Sequence, residues 1–337
     1  MTKQPDINPL NPLKKLSSFN LPWSTDWTAI FGIERPLILE IGFGYGHYLE
    51  HLAKQHPDHN MIGLEINNFC MVKMERIIER KRLDNVRVVF SRAETALNHL
   101  FEPEIFSEIH VNFPDPWFKE RHSRRRLMQH DTLDMMVSRL KPNGMLYLAT
   151  DIIEYAEMSH EILAETAGLT NTLETNWVNQ FDGRIITKYE RRAGEEGRQC
   201  YYFAYQRNDT SVEHPPVIKE IDMPHIVIKT PLSLDAMLGQ FSEMNTSEDG
   251  THIKVMNGYR GKMDTLLFET YVHEPTIDQK IAMMLVKRDV ENEYTLKLSG
   301  IGNPRPTDGL HRAVAFVADW LVTLHAESEV LKRKVRF

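Results

Sequence analysis

The segment of residues 112–126, Asn-Phe-Pro-Asp-Pro-Trp-Phe-Lys-Glu-Arg-His-Ser-Arg-Arg-Arg, combines residue types that recognise a nucleobase and its phosphates. Asp115 lies between Pro114 and Pro116, and because proline fixes φ, this carboxylate is held on a stiff loop. The aromatic Trp117 comes next. The basic residues that follow are Lys119, Arg121, Arg124, Arg125 and Arg126. Such a set suits nucleotide binding, and the alternative is a proline-rich turn before a solvated basic helix.

A second group of candidate ligand-binding residues is the glycine-rich segment Glu-Ile-Gly-Phe-Gly-Tyr-Gly at 40–46, which follows an apolar run. Glycine adopts positive φ and lets a ligand approach the backbone closely, so Gly42, Gly44 and Gly46 predict a ligand loop between a strand and a helix. The spacing differs from the Gly-x-Gly-x-x-Gly of dinucleotide enzymes. The segment also lacks the Lys-Ser/Thr pair of a phosphate-binding P-loop.

Two carboxylates accompany this loop. Glu40 lies just before the glycines, two residues from Gly42, where an acid is poorly placed for a pyrophosphate but well placed for a cationic or hydroxyl-bearing ligand. Glu65 ends the next predicted strand, where a carboxylate can accept both hydroxyls of a ribose. These acids favour S-adenosylmethionine over a nicotinamide dinucleotide as the cofactor. The simpler alternative is a tight turn with two surface acids.

Composition restricts the class of protein. The chain has 337 residues and a formal net charge of −7, so any nucleic-acid contact must rely on local basic patches. Cys70 and Cys200 show no paired spacing, which argues against disulfides or zinc and fits a reducing cytoplasm. His47 and His51 lie four residues apart without a third candidate ligand, so we expect no metal site. No apolar run approaches the roughly 18 residues of a membrane span, and we expect no membrane association.

The hydrophobic pattern alternates between strands and helices over the first 200 or so residues. Strands are predicted at 37–41, 60–65, 86–90, 107–112, 145–149, 185–190 and 200–206, and helices at 46–56, 68–82, 93–100, 127–140 and 152–167. This alternation predicts a parallel sheet covered on both faces. The glycine loop, Glu65 and the Asp115 loop all follow predicted strands, so we expect them at the carboxyl edge of that sheet.

The pattern also predicts the domain organisation. Residues 1–34 are expected to be a flexible N-terminal segment, 35–207 a catalytic domain and 208–220 a linker. Residues 221–337 are expected to form an α+β domain, with strands at 251–257, 263–273, 280–288 and 293–299 and a helix at 307–330. RNA binding, dimerisation and stabilisation of the catalytic domain stay open as its role. Because every motif precedes residue 208, we expect it to be dispensable for chemistry.

Several motifs occur in the order and spacing of one known family. They are Leu-Glu-Ile-Gly-Phe-Gly-Tyr-Gly at 39–46, Gly-Leu-Glu at 63–65, Asn-Phe-Pro-Asp-Pro-Trp at 112–117 with Lys119, Arg121, His122, Arg124 and Arg125, Ala-Thr-Asp at 149–151 and Thr-Lys-Tyr-Glu at 187–190. Over about 35–207 the chain resembles the bacterial tRNA (guanine-N7-)-methyltransferases. The resemblance implies an α/β fold: a Rossmann-like class I methyltransferase sheet with helices on both faces, followed here by a smaller α+β domain.

The resemblance also implies activity and residue roles. The expected enzyme is cytoplasmic and transfers a methyl group from S-adenosylmethionine to N7 of a guanosine in tRNA, at position 46 of the variable loop. Asp115 matches the active-site residue. The implied cofactor-binding residues are Glu40, Gly42, Gly44, Gly46, Glu65, Arg92, Ala93, Glu94 and Asn112. The implied substrate-binding residues are Lys119, Arg121, Arg124, Asp151, Thr187, Lys188, Tyr189 and Glu190. The oligomeric state is not determined by these motifs.

One position departs from the family pattern. The family usually carries Asp-Ala where this chain has Arg92-Ala93, so adenine binding is left open between Glu94 and backbone amides. This departure supports the alternative of a tRNA-binding module on a methyltransferase fold with weak or lost activity. Another alternative is an amino-methyltransferase for DNA adenine, which also uses an Asn/Asp-Pro-Pro-aromatic loop. A nicotinamide oxidoreductase is the least favoured, because the glycine spacing is wrong.

Overall fold

The computed structural model describes residues 13–117 and 126–336, and the chain divides into two compact units between Ile218 and Lys219. The elements of the first unit are β1 (Lys15–Ser17), α1 (Trp27–Phe31), β2 (Leu37–Ile41), α2 (His47–Gln55), β3 (Asn60–Glu65), α3 (Asn68–Lys81), β4 (Val86–Phe90), α4 (Ala93–His99), β5 (Phe106–Asn112), α5 (His130–Arg139), β6 (Leu140–Thr150), α6 (Ile153–Glu165), β7 (Leu169–Asn171), α7 (Lys188–Glu195) and β8 (Tyr201–Arg207).

These strands form one twisted sheet in the order β1-β4-β3-β2-β5-β6-β8-β7. Neighbours from β1 to β6 pair in parallel, and β8 pairs antiparallel with both β6 and β7. All five residues of the central strand β2 are buried, which requires cover on both faces. The α/β fold class predicted from the sequence is confirmed.

Adjacent residues of β4 show the two covered faces. Val88 packs with α2 and α3 in a core cluster that includes Leu49 and Met74. The next side chain on the other face, Arg87, is also buried, and its guanidinium donates to the Ile30 carbonyl at the end of α1 at 3.3 Å. Because side chains alternate along a strand, helices must cover both sides.

Part of the N-terminal segment that was expected to be flexible is folded. β1 pairs in parallel with β4, and Asp26 caps α1 by accepting from the Ala29 amide at 3.0 Å. Trp27 is buried, with its ring 5.3 Å from that of Phe101. The expectation fails over β1 and α1 because these elements are too short for a periodic pattern, while burial of aromatic surface holds them in place.

Two local expectations change near the sheet's far edge. The strand predicted at 185–190 is wrong, because α7 begins at Lys188 with Thr187 as its N-cap. Residues 141–144, between the helix predicted at 127–140 and the strand predicted at 145–149, lie inside β6 at a register shift, where Phe106 pairs with Leu140 and Glu108 with Met145. Residues 208–218 belong to the first unit, since the Pro215 carbonyl accepts from the buried Arg139 at 3.0 Å.

The second unit is an antiparallel sheet with helices. Its elements are β9 (His225–Lys229), α8 (Leu234–Gly239), β10 (Met244–Glu248), β11 (Thr251–Arg260), β12 (Thr265–Glu274), β13 (Ile277–Lys287), β14 (Glu293–Leu298), α9 (Asp308–Thr323) and β15 (Glu329–Lys334). The strand order is β10-β11-β12-β13-β14-β9-β15. Apolar residues of α8 and α9 share one core with alternate residues of the strands. The predicted α+β character is confirmed.

The second unit differs from the sequence prediction at its ends. The helix predicted at 307–330 ends at Thr323, and residues 329–334 form β15 beside β9. β9, α8 and β10 were not predicted. β15 carries three basic residues and only two apolar ones, so its strand state depends on backbone pairing with β9. Among the described residues, no helix has the length and apolar character needed to cross a bilayer.

Candidate active site

The candidate site lies where β2 and β5 run side by side in the sheet. β2 connects onward to β3 on one side, whereas β5 connects to β6 on the other, so the crossovers diverge between them. Open parallel sheets bind ligands at the carboxyl ends of strands at such a switch point. Glu40 and the glycine loop end β2, and Asn112 ends β5. The topology therefore brings together two motifs that lie 72 residues apart in the chain.

Glu40 is a buried carboxylate with one free oxygen. Asn112 Nδ2 donates to Glu40 Oε1 at 3.0 Å, while Oε2 has no hydrogen-bond partner. Burial raises the pKa of Glu40 to about 7, although Asn112 and the nearby Arg184 pull it down. An incompletely paired buried carboxylate is unfavourable unless a cation or donor meets it. Glu40 therefore fits a site for a positively charged ligand.

Arg184 joins three parts of the site. Its guanidinium donates to Tyr48 Oη at 3.0 Å and to Asn112 Oδ1 at 2.7 Å, and its Nε lies 3.9 Å from Glu190 Oε1. The same guanidinium lies 4.4 Å from the centre of the Tyr48 ring. It thereby fixes the Asn112 amide so that Nδ2 points to Glu40. Arg184 thus connects α2, β5 and α7 beside the Glu40–Asn112 pair.

Glu65 shapes the glycine loop instead of projecting freely. Its Oε2 accepts from the Gly44 amide at 2.9 Å, and its Oε1 accepts from the Ile66 and Asn67 amides at 2.8 and 2.9 Å. A carboxylate has about four acceptor sites, so with three amides bound one site, on Oε2, remains for a ligand hydroxyl. Glu65 therefore holds the loop backbone and keeps an acceptor at the end of β3.

The glycine loop provides close approach to the backbone. Gly42, Gly44 and Gly46 have φ of 72°, 53° and 79°, in the left-handed region that favours glycine. A Cβ at Gly42 would meet nothing within 4 Å, and at Gly44 only the Tyr189 ring at 3.8 Å. A Cβ at Gly46 would overlap Met74. The first two glycines thus leave space for a ligand, whereas Gly46 allows α2 to pack on α3.

The loop after β5 is held in a strained conformation. Phe113 and Trp117, on either side of the Pro-Asp-Pro sequence, have φ of 51° and 42°, which is unusual for bulky residues. The Phe113 amide donates to the Ala149 carbonyl at 2.7 Å, which anchors the loop to β6. Asp115 is exposed, and its carboxylate has no hydrogen bond or ion pair within 13–117 and 126–336. A rigid, exposed carboxylate of this kind is available to a ligand.

The Thr-Lys-Tyr-Glu motif forms a capping box at the start of α7. The Glu190 amide donates to the Thr187 hydroxyl at 3.3 Å, and the Glu190 carboxylate accepts from the Thr187 amide. Tyr202 also donates to Glu190 at 2.8 Å. These contacts turn Tyr189 outward, where it is half-exposed and stacks on Phe113 with ring centres 6.0 Å apart. Lys188 lies over the Tyr45 ring at 4.6 Å.

The remaining predicted site residues are placed as follows. Arg92 precedes α4 and lies 3.4 Å from the Glu94 carboxylate, with Ala93 buried between them. Asp151 follows β6 and forms an ion pair with Arg198. Lys119, Arg121 and Arg124 lie outside the described residues.

Sequence reasoning missed Arg184 and Tyr48. Arg184 follows a loop with no motif, and its only signal is a cation three residues before Thr187. Tyr48 reads as an apolar residue of α2, and nothing in its position indicates that its hydroxyl also lies 3.3 Å from buried His110. Neither role is visible until the sheet order places these elements together.

Replacing Arg184 with methionine should lower the free energy of unfolding by about 3 kcal/mol, because it leaves the carboxylates of Glu40 and Glu190 without their buried cation. Urea unfolding followed by fluorescence measures this loss. Arg184→Lys should recover only part of it, since an ammonium cannot make the forked contacts to Tyr48 and Asn112. Arg191→Met, at an exposed position on α7, is the matched control. Equal stability of both methionine variants would contradict the network.

A family described as putative methyltransferase matches residues 34–203. The tRNA (guanine-N(7)-)-methyltransferase of Paraburkholderia xenovorans is 34% identical over 186 residues, which cover 55% of this chain and 71% of the relative. The protein of the same name from Cupriavidus metallidurans is 38% identical over 188 residues, covering 55% of this chain and 72% of the relative.

Among solved structures, the aminoglycoside resistance methyltransferase NpmB1 aligns with 56% of this chain and 98% of its own, at 19% identity and a TM-score of 0.39. The family match spans half of the chain, and it coincides with the part that holds the glycine loop, Glu65, Asp115 and α7. The curated relatives are matched over more than two thirds of their length. This chain therefore belongs to that family of methyltransferases.

Proposed function

We propose that this protein transfers a methyl group from S-adenosylmethionine to N7 of a guanosine in tRNA, at position 46 of the variable loop, in the cytoplasm. The names of the curated relatives support the tRNA substrate and the methylated atom. The observation that carries the proposal is the shared edge of β2, β3 and β5, where a glycine loop, Glu40, Glu65 and the exposed Asp115 all emerge.

The residues at this edge fit the cofactor. S-adenosylmethionine supplies an electrophilic methyl group on a positively charged sulfonium, and it also carries an ammonium and a ribose. The buried free oxygen of Glu40 suits a cation, and Oε2 of Glu65 retains one acceptor site for a ribose hydroxyl. The open space at Gly42 allows close approach to the backbone. The adenine end would meet Arg92, Ala93 and Glu94, where the Arg92–Glu94 pair leaves the backbone amides at the start of α4 for recognition.

The proposed role of Asp115 is electrostatic. Guanine N7 has an in-plane lone pair and no proton, so its methylation needs no general base. Asp115 accepts hydrogen bonds from the N1–H and N2–H edge of guanine, which orients the base, and its charge stabilises the positive charge that develops on the ring. The strained backbone at Phe113 and Trp117 holds this carboxylate before the substrate arrives.

The aromatic residues around Asp115 complete the proposed substrate site. Tyr189 and Phe113 form a stacked pair next to Gly44, and Asp115 contributes to raising the pKa of Tyr189, after burial as the largest cause. A half-exposed tyrosine suits stacking on a base. Lys188 and the basic residues after Trp117 are proposed to bind phosphates.

The test is methyl transfer from labelled S-adenosylmethionine to two tRNA transcripts that differ at one atom. One carries guanosine at the target position, and the other carries 7-deazaguanosine, which lacks N7. We expect 7-methylguanosine from the first, identified by mass spectrometry of the digested RNA, and no transfer to the second. Duplex DNA is the third arm: methylation of its adenines would support an amino-methyltransferase instead. Cofactor and tRNA binding without transfer would indicate a binding module.

A further inference from the structure

The two helices of the second unit cover one face of its sheet, and within residues 219–336 the other face carries no helix. The helices α8 and α9 pack on the face formed by alternate residues such as Ile226, Leu296 and Met283. Arg333 belongs to this covered face, since it pairs with Ile226 in the register and bonds Asp319 on α9. Its neighbours Lys332 and Lys334 must therefore project from the opposite face.

On that opposite face, a row of directly paired residues crosses six strands. The register joins, in order, Tyr259, Leu267, Met284, Lys297, His225 and Lys334. With neighbouring strands about 4.8 Å apart, the row is about 24 Å long. Its first half is aromatic and apolar, and its second half is cationic. We call this set the cross-strand row.

The cationic half is reinforced from the next row of the same face. Lys332 pairs with Val227, one step along β9 from His225. Lys297, Lys332 and Lys334 are exposed; burial lowers the pKa of His225, and the charges of these three lysines lower it further. Lys334 lies 3.1 Å from Asp222, an exposed pair that contributes little in water. No ion pair engages Lys297 or Lys332 within the described residues.

No acid interrupts these two rows. The second row contains Val286, Thr295 and Val227 before it reaches Lys332. Acids border these rows on both sides. Glu269, two residues from Leu267 on β12, accepts from Tyr259 Oη at 3.0 Å, and on the third row Lys229 pairs with both Glu293 and Glu329. In a chain of net charge −7, this face concentrates cations and carries an exposed tyrosine three strands from Lys297. Cations that follow a backbone, together with an aromatic face for a base, are the features of a single-stranded RNA surface.

We propose that the cross-strand row and Lys332 form a second tRNA-binding surface, with phosphates on the lysines of β14 and β15 and an unpaired base on Tyr259. This inference rests on the proposed function, because the RNA is the substrate itself. The lysines of the cationic half bind phosphates, so the affinity they provide does not depend on the RNA sequence. This half lies in the unit that carries none of the methyl-transfer motifs. The second unit thus binds substrate.

The experiment compares full-length wild type with Lys297→Glu/Lys332→Glu in tRNA binding by fluorescence anisotropy between 50 and 200 mM salt. We expect Kd to rise at least about tenfold at the lowest salt, and the slope of log Kd against log salt to decrease by about 2. Lys262→Glu/Lys287→Glu changes the same charge at exposed positions away from the row and should leave both quantities near wild type. An unchanged Kd and slope in the first variant would overturn the proposal, as would equal losses in both variants.

Two further measurements make the outcome specific. Lys297→Gln/Lys332→Gln removes the charges without adding carboxylates and should reproduce the lower salt slope, which covers the case in which the glutamate variant is unstable. Tyr259→Ala should weaken binding without changing the slope. The binding assay does not depend on methyl transfer, so the two proposals can fail separately. If the wild type binds tRNA through this face but does not methylate it, the proposed function is contradicted and the binding surface is supported. If the lysine variants methylate tRNA with a normal KM, the binding surface is contradicted and the proposed function is supported.

Discussion

Replacing Asp115 with alanine should lower kcat for methyl transfer to tRNA by about 10²- to 10³-fold, the usual effect of removing one preorganised group that stabilises transition-state charge. The Kd for S-adenosylhomocysteine should change little, because Asp115 lies on the loop after β5 and makes no contact with Glu40 or Glu65 among the described residues. Rates at saturating tRNA, with cofactor binding measured by calorimetry, separate the two effects.

The asparagine variant tests whether charge is the reason. Asp115→Asn keeps the size of the side chain but loses the negative charge and one acceptor for the guanine edge, so we expect it to retain little more activity than the alanine variant. Asp134→Asn, an exposed change on α5, is the matched control. If Asp115→Asn turned over at the wild-type rate, a role in charge stabilisation would have to be abandoned.

Replacing Glu40 with glutamine should stabilise the protein while it weakens cofactor binding. The pKa of Glu40 is raised from 4.5 to about 7 by burial, so the folded state holds a proton that the unfolded state releases between these values. Stability from this group is present below pH 4.5 and is lost as the pH rises to 7. At about 1.4 kcal/mol per pKa unit, ionised Glu40 costs on the order of 3 kcal/mol above pH 7.

Glutamine retains the acceptor for Asn112 without the charge, so Glu40→Gln should recover most of that free energy at pH 8 and none at pH 4. Urea unfolding followed by tryptophan fluorescence measures it, because four of the chain's five tryptophans lie in the first unit. Glu79→Gln, at an exposed position of α3, should show no such gain. If Glu40→Gln were no more stable than wild type at pH 8, ionisation of Glu40 would not lower the free energy of unfolding, and this explanation would be wrong.

Cofactor binding should show the opposite response. A cationic ligand needs ionised Glu40. The wild-type Kd for S-adenosylmethionine should therefore increase by up to about tenfold for each pH unit below 7. In Glu40→Gln the Kd should be weak and nearly independent of pH over the same range. Stability gained where ligand affinity is lost is typical of a functional site. If the Kd for S-adenosylmethionine depended on pH in the same way in both proteins, Glu40 would not be a cofactor-binding residue.

The alternation of strands and helices in the first unit was predictable because it depends on local patterns. Strands β2 and β4 are short, mostly apolar runs followed by glycine or serine, and the prediction of each was correct. Thr187–Glu190 shows the limit of this approach. Its β-compatible composition predicts a strand, but the capping box between Thr187 and Glu190, fixed further by Tyr202, makes it the start of a helix.

The sequence by itself determined which residue types could do chemistry here: the glycine loop with its two acids, and the carboxylate between prolines next to aromatic residues. These signals are local, because each depends on neighbours within a few positions. Only the tertiary structure decided that Glu40 is buried with one free oxygen, that Arg184 connects it to α7, and that Lys297 and Lys334 lie on either side of His225. The physical reason is that sheet order is not chain order, so charges and their partners meet only after the strands have paired.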